Sequence, residues 1–207
     1  IYVEPKLIGE NMLTAEIDHV TSVEEFYNEI RWQQEEAHGL HYCAMHDAIQ
    51  KYMKDCRSYK ELGTHQGASA AAAMLGEHKP KYMELIDIDH VKYRKTLQRL
   101  AEPYCKEHGI ELIVREADSG GLGSMSNKAV DMLMIDSIHK RPHMEKELQI
   151  HGQMVTKYIV AHDTSRAQSS NLIELYECLL NFCIDNPSWK VEERGVENVG
   201  YTVLKRS

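Results

Sequence analysis

The chain has 207 residues, 43% hydrophobic and 27% charged, the balance of a soluble globular protein long enough for one full core. Its net charge of −8 argues against a nucleic-acid backbone as ligand, and it contains no apolar run near 18 residues that would cross a membrane. The five cysteines form no Cys-x-x-Cys pair and read as reduced thiols of a cytoplasmic protein.

Residues 1–20 show no period and are expected to form an arm or lid. Thr21-Ser-Val-Glu-Glu25 has the form of a helix start, a hydroxyl cap followed by acids in the first turn, and the helix is expected to run to about Gly39. A second helix is expected over Tyr42–Lys54, with Met45, Ile49 and Met53 at helical spacing. Trp32, His38, His41 and His46 read singly as core or surface filler. The division expected is an N-terminal helical arm or lid over 1–41 and one ligand-binding domain over 42–207.

From there strands and helices alternate. Strands are expected at Tyr59–Leu62, Lys81–Ile88, Ile110–Arg115, Val130–Ile135 and Lys157–Ala161. Helices are expected at Ala68–Leu75, Val91–His108 (closed by Gly109), Pro142–Gln153 and Leu172–Ile184. Trp189–Arg194 and Tyr201–Lys205 close the chain as a strand pair around Gly195–Gly200. The predicted fold class is α/β, a Rossmann-like, mostly parallel seven-stranded sheet with helices on both faces and a C-terminal antiparallel hairpin.

The stretch from Lys60 to Met74 is the centre of this pattern. It reads as a strand end, a tight turn bracketed by Gly63 and Gly67, and a helix of small residues that includes Ser69. Glycine at such a turn permits a left-handed backbone and close approach, and the helix start offers free N–H groups to a polar ligand. Asp87 falls 20 residues after Gly67 at the tip of the second strand, where such sites hold ribose hydroxyls. The spacing Gly-x-Gly-x-x-Gly is missing because His65 stands at its second glycine, which disfavours a nicotinamide dinucleotide. Glu61, Gly63, Thr64, Gly67, Ser69 and Asp87 resemble the S-adenosylmethionine site of class I methyltransferases.

Five strands in succession end at or near an acid: Glu61, Asp87, Asp118, Asp136 and Asp163. Ligands of open parallel sheets lie beyond these ends. Asp136 and Asp163 end neighbouring strands, within reach of one hard divalent cation. His139, three residues past Asp136, stands where a base could.

The segments Met132-Leu-Met-Ile-Asp-Ser-Ile-His139 and Lys157-Tyr-Ile-Val-Ala-His-Asp-Thr164 resemble the methyltransferase-24 and cephalosporin-hydroxylase-like group, which includes sugar and macrolide O-methyltransferases. The closing segments Asn186–Glu193 and Gly200–Leu204 are similar to its terminal hairpin, so the resemblance covers about 42–207. It implies an S-adenosylmethionine-dependent O-methyltransferase with Asp118 bordering the adenine ring, Asp136 among the cofactor-binding residues and, with Asp163, on the metal, and His139 as catalytic base. His162 takes a place where some members carry a metal-binding glutamate. Magnesium is the expected ion, and a histidine there shifts the preference toward manganese or another transition metal. The expected partner is a small-molecule or glycoside acceptor, with a homodimer compatible with the helical arm. A non-catalytic or regulatory S-adenosylmethionine-binding protein of the same fold stays open as the alternative.

Overall fold

The computed structural model describes residues 17–165 and 172–207, so residues 1–16 of the expected N-terminal arm lie outside the described residues. Helix α1 (Val23–His38) starts as its sequence dictates. The Ser22 hydroxyl accepts the Glu25 N–H at 3.1 Å, and Glu25 reaches back to the Thr21 N–H at 2.8 Å. Its Phe26 and Ile30 are fully buried with Ile49 and Met53 of α2 (Ala44–Met53), so this part of the N-terminal segment is built into the core.

Seven strands form one sheet in the order β3-β2-β1-β4-β5-β7-β6. β1 (Ser58–Leu62), β2 (Tyr82–Asp87), β3 (Glu111–Glu116), β4 (Val130–Ile135) and β5 (Val155–His162) are parallel. β7 (Tyr201–Arg206) runs antiparallel to both β5 and β6 (Trp189–Gly195), which makes the expected terminal hairpin. The strand order reverses between β1 and β4, the switch point at which open α/β sheets leave a crevice.

Two cores follow from the two-residue period of the strands. Tyr59, Met83, Leu85, Met132 and Met134 face α1, α2, α3 (Ala68–Met74) and α5 (Gln98–His108). Leu62, Ile86, Leu133, Ile135 and Ile159 face α6 (Arg141–Ile150) and α7 (Leu172–Asp185). All seven residues of α3 are buried, and its run of alanines lets it pack closely under α1 and α2.

Two departures from the expected elements have physical causes. The helix expected over Val91–His108 is two helices, α4 (Val91–Lys95) and α5, broken at Thr96. The buried Thr96 hydroxyl donates to the carbonyls of Gln66 (2.7 Å) and Lys92 (2.8 Å), competing with the helix ladder and tying the break to the turn after β1. The crossover from β3 to β4 carries one 3₁₀ turn, Leu122–Ser124, and no α-helix. A polar cluster covers the sheet there instead. Lys60 and Glu84 pair at 2.9 Å in mid-sheet, and Arg115 reaches Glu84 at 2.9 Å and the Met125 carbonyl of the crossover at 3.1 Å.

The switch point is very tight. An added Cβ at Gly63 would lie 2.0 Å from the Asp136 carbonyl oxygen, and Gly63 has φ +88°. Gly63→Ala is therefore expected to destabilise the fold by about 2–4 kcal/mol, from left-handed strain and forced separation of β1 and β4. Chemical denaturation measures this, and an unchanged midpoint would contradict the close approach.

Candidate cofactor and metal site

The turn after β1 is held from the tip of β2. Asp87 Oδ2 accepts the N–H of Thr64 at 2.8 Å and of His65 at 2.9 Å, so one carboxylate oxygen of Asp87 is committed to shaping the loop. The tight space at both turn glycines is filled by protein: Asp136 backs Gly63, and Leu97 of α5 lies 2.7 Å from a Cβ at Gly67. Sequence reasoning gave these glycines to ligand approach; the structure adds that chain crossing already requires them.

Below the turn, Glu61 is fully buried inside β1. The Tyr59 hydroxyl donates to its Oε2, while Oε1 has no hydrogen-bond partner among the described residues. Burial pushes the Glu61 carboxyl up to about 8, against the Tyr59 hydrogen bond. Thr64 Oγ1 and Gln66 Oε1 are likewise buried without a partner among the described residues. A cavity of about 240 Å³ opens here between the turn, α2 and the end of β4. Gly63, Thr64, Ser69, Asp136, His139 and His162 line it.

Asp136 and Asp163 converge at one edge of this cavity. His139 Nε2 lies 3.2 Å from Asp136 Oδ1 and 2.7 Å from Asp163 Oδ2, and the ligand atoms of these three residues all fall within 4.8 Å of one another. His162 Nδ1 lies 3.4 Å and 3.5 Å from the same two oxygens. The His162 ring is buried, and its Nε2 is 3.3 Å from the Tyr42 carbonyl. That contact directs Nδ1 at the acids, as a backbone carbonyl does for a metal-bound imidazole.

The charges interlock. Burial disfavours an ionised Asp136, yet His162 and His139 outweigh it and hold the carboxyl well below its usual range. Asp136 and Asp163 raise His139 to about 10, its partial burial acting the other way. Burial pulls His162 down, and the same two carboxylates more than reverse this.

The predicted residues do not all meet. Asp163 is buried beside the cavity edge with a left-handed backbone, φ +55°. Asp118 stands apart on the loop after β3, exposed, 4.0 Å from His143 Nε2. Sequence reasoning read His46 as core or surface filler and did not single out Tyr42 or Ser137, yet all three line the cavity. Burial pulls His46 down to about 3, so it is a neutral ring in the cavity wall. The signal was available: His46 adjoins Met45 and stands three residues before Ile49 on the buried stripe of α2. Ile88, directly after Asp87, is 73% exposed, an apolar side chain left open beside the turn.

No family model matches the sequence, and no curated protein does. Solved structures match throughout the fold, which is that of the class I S-adenosylmethionine-dependent methyltransferases. A candidate caffeoyl-CoA O-methyltransferase from Staphylococcus aureus superposes with a TM-score of 0.62 at 14% identity, over 91% of this chain and 93% of its own. The O-methyltransferase TomG of Streptomyces achromogenes, solved with S-adenosylmethionine, gives 0.56 at 13% over 94% and 93%. The N-methyltransferase NodS of Bradyrhizobium japonicum gives 0.56 at 12% over 78% and 93%.

The carboxylate–histidine cluster yields a pH prediction. His139 is raised above its ordinary 6.5, so its pairing stabilises the folded ion-free protein fully below pH 6.5 and is lost as pH rises through about 10. In a histidine NMR titration of ion-free protein, His139 is expected to titrate well above 6.5, and Asp136→Asn to bring it down. An ordinary midpoint in the unaltered protein would show that the pairs do not form in solution.

Proposed function

We propose that this chain is an S-adenosylmethionine-dependent O-methyltransferase that acts on a hydroxyl of a small-molecule or glycoside acceptor, with a divalent cation on Asp136 and Asp163. The observation that carries this reading is the convergence of those two carboxylates with His139 and His162 at the cavity edge of a methyltransferase fold.

The residues fit both groups. Glu61 Oε1 and Thr64 Oγ1 are buried acceptors without a partner among the described residues, suited to the ammonium of an amino-acid ligand. Exposed Ile88 beside Asp87 suits the face of a base ring next to a ribose. Two carboxylate oxygens suit a hard cation, and His162 Nδ1 adds a nitrogen that widens the choice towards manganese. When bound, these groups supply an activated methyl and a Lewis acid for the acceptor hydroxyl.

The chain then has two tasks, alignment and proton removal. His162 is buried and oriented by the Tyr42 carbonyl, which suits a ligand. His139 is 46% exposed in its side chain at the cavity rim, which suits a base that must pass a proton to solvent. Once the charges of Asp136 and Asp163 are neutralised, nothing holds the proton on His139. Its ring then returns towards the ordinary value and accepts a proton near neutral pH.

S-adenosylhomocysteine is expected to bind saturably in calorimetry, and chelation to abolish turnover on a panel of vicinal diols while leaving that binding nearly intact. His139→Ala is expected to lower the single-turnover rate on the order of 10²–10⁴-fold in cation-loaded protein that a melting curve shows to be folded. Absence of S-adenosylhomocysteine binding would overturn the cofactor reading. Turnover surviving exhaustive chelation would remove the cation, and a normal rate in folded His139→Ala would remove the base.

A further inference from the structure

One wall of the cavity has side chains that neither the cofactor reading nor the cation reading uses. Gln34 of α1, Tyr42 of the turn between the two helices, and Met45 and His46 of α2 form it. His46 is the residue of this wall that the fold leaves unsatisfied. Its side chain is buried, and its Nδ1 is enclosed with no hydrogen-bond partner among the described residues. Buried polar groups are ordinarily paired, so an unpaired ring in a cavity wall calls for a partner from outside the chain.

The ring is also held still. Tyr27 packs against it, with ring centres 5.7 Å apart and planes tilted by 51°. Arg31 fixes that tyrosine by donating to its hydroxyl at 3.0 Å, and pairs with Asp47, the next residue after His46, at 2.9 Å. The wall adjoins the cation edge, since the Tyr42 ring meets His162 edge-on at 5.4 Å. Full enclosure keeps His46 neutral, and a neutral imidazole carries one N–H and one bare nitrogen. With no acceptor beside the enclosed Nδ1, the proton belongs on Nε2, the nitrogen left to the cavity. Gln34 adds donors of the same kind: its Oε1 accepts the Cys43 thiol at 3.3 Å, which leaves its amide N–H groups free to donate. No lysine or arginine lines the cavity among the described residues, so these are uncharged donors in a wall without a cation to hold an anion.

We infer that His46 is a specificity-determining residue whose Nε2–H donates to a third oxygen of an uncharged acceptor, on the carbon next to the two oxygens that meet the cation. This rests on the proposed function for the vicinal pair and its cation. A cavity of about 240 Å³ leaves room for little more than one small ring, which puts the third oxygen on a neighbouring carbon. A donor fixed in place loses little freedom when its partner arrives, so the contact discriminates between acceptors that carry the third oxygen and those that lack it.

Calorimetry on protein loaded with S-adenosylhomocysteine and Mg²⁺ tests this without turnover. The probes are catechol and pyrogallol, which differ by one hydroxyl beside the vicinal pair. The unaltered protein is expected to prefer pyrogallol, and His46→Phe, which keeps a flat ring against Tyr27, to lower that preference about threefold to tenfold, the size of one hydrogen bond between uncharged groups. His46→Gln, which keeps an N–H donor, is expected to retain part of it. A preference that folded His46→Phe leaves unchanged overturns the contact. Loss of S-adenosylhomocysteine binding in that variant would put the ring at the cofactor and overturn it too. A third probe is the catechol with a carboxylate in place of the extra hydroxyl. If its affinity is the one His46→Phe lowers most, the ring serves an anion and the inference fails. Should the variants not fold, the ring-nitrogen NMR signals of the unaltered protein decide: pyrogallol is expected to shift His46 Nε2 and catechol to leave it, and equal responses overturn the contact. If the unaltered protein binds S-adenosylhomocysteine but neither catechol nor pyrogallol, the vicinal-diol acceptor of the proposed function falls and takes this inference with it. If it binds both and His46→Phe changes nothing, this inference alone falls.

Discussion

The ligand-facing edge of this protein depends on how closely the ends of β1 and β4 approach. The Leu62 carbonyl accepts the Asp136 N–H at 2.9 Å, and Gly63 then turns away with no room for a side chain beneath the Asp136 carbonyl. This contact fixes two things together. It sets where the turn at Thr64 and His65 stands, and it holds Asp136 in the cavity wall. Any residue larger than glycine at position 63 would push the acid of β4 away from the turn after β1. The sheet order supplies the crevice, and the glycine lets its two walls come within reach of one small ligand.

The second constraint is the uneven cover of the sheet. Where α6 and α7 lie over β4 and β5, the core is apolar. Over β1 to β3 the same face has no α-helix from the β3–β4 crossover, and Lys60, Glu84, Arg115 and His151 fill the gap. Burial lowers the Lys60 pKa, and the pairing with Glu84 opposes this. Removing one partner of such a pair leaves a buried charge, far worse than replacing both with apolar residues. Lys128 Nζ sits 3.4 Å from the centre of the Tyr82 ring and holds the far end of the crossover on the sheet. The loop that carries Asp118 and Ser119 is therefore anchored by polar contacts along its length.

Much of this was legible in the sequence, and the reasons differ by residue. The strands showed because a doubly covered parallel sheet needs apolar runs, and Met132-Leu-Met-Ile135 is one. Asp87 and Asp136 showed because each closes such a run, whereas Glu61 lies inside β1 beside Lys60. Ser22 and Gly109 showed because cap chemistry is local: Gly109 has φ +64° and donates to Cys105. Thr96 was hidden because its hydroxyl is directed by Gln66, 30 residues away in sequence. Glu147 was hidden for the same reason, since a glutamate inside an amphipathic helix ordinarily faces water, whereas this one is buried on α6 and accepts from the hydroxyls of Ser119 and Ser137. The polar cluster at Lys60 and Glu84 was invisible because single strands carry no record of which polar residues will stand opposite each other. Local signals reveal elements and their ends, whereas residues fixed by distant partners appear only once the chain is folded.

The geometry of Asp163 bears on why the acids stand where they do. It follows β5 with φ +55°, a conformation that costs a non-glycine residue roughly 1 kcal/mol or more. The backbone on either side is held: Ser165 N–H donates to the Val199 carbonyl at 2.8 Å, and the Thr164 and Thr202 hydroxyls meet at 2.9 Å. The fold thus maintains a strained turn that brings one carboxylate beside another, an arrangement that opposes itself by charge repulsion. His139 and His162 offset that repulsion in the ion-free protein. Two histidines would offset it equally well if the acids stood further apart on relaxed backbone. Strain and repulsion concentrated at one crevice agree with the proposed cation, which would relieve the repulsion and, on that reading, free His139 to take a proton.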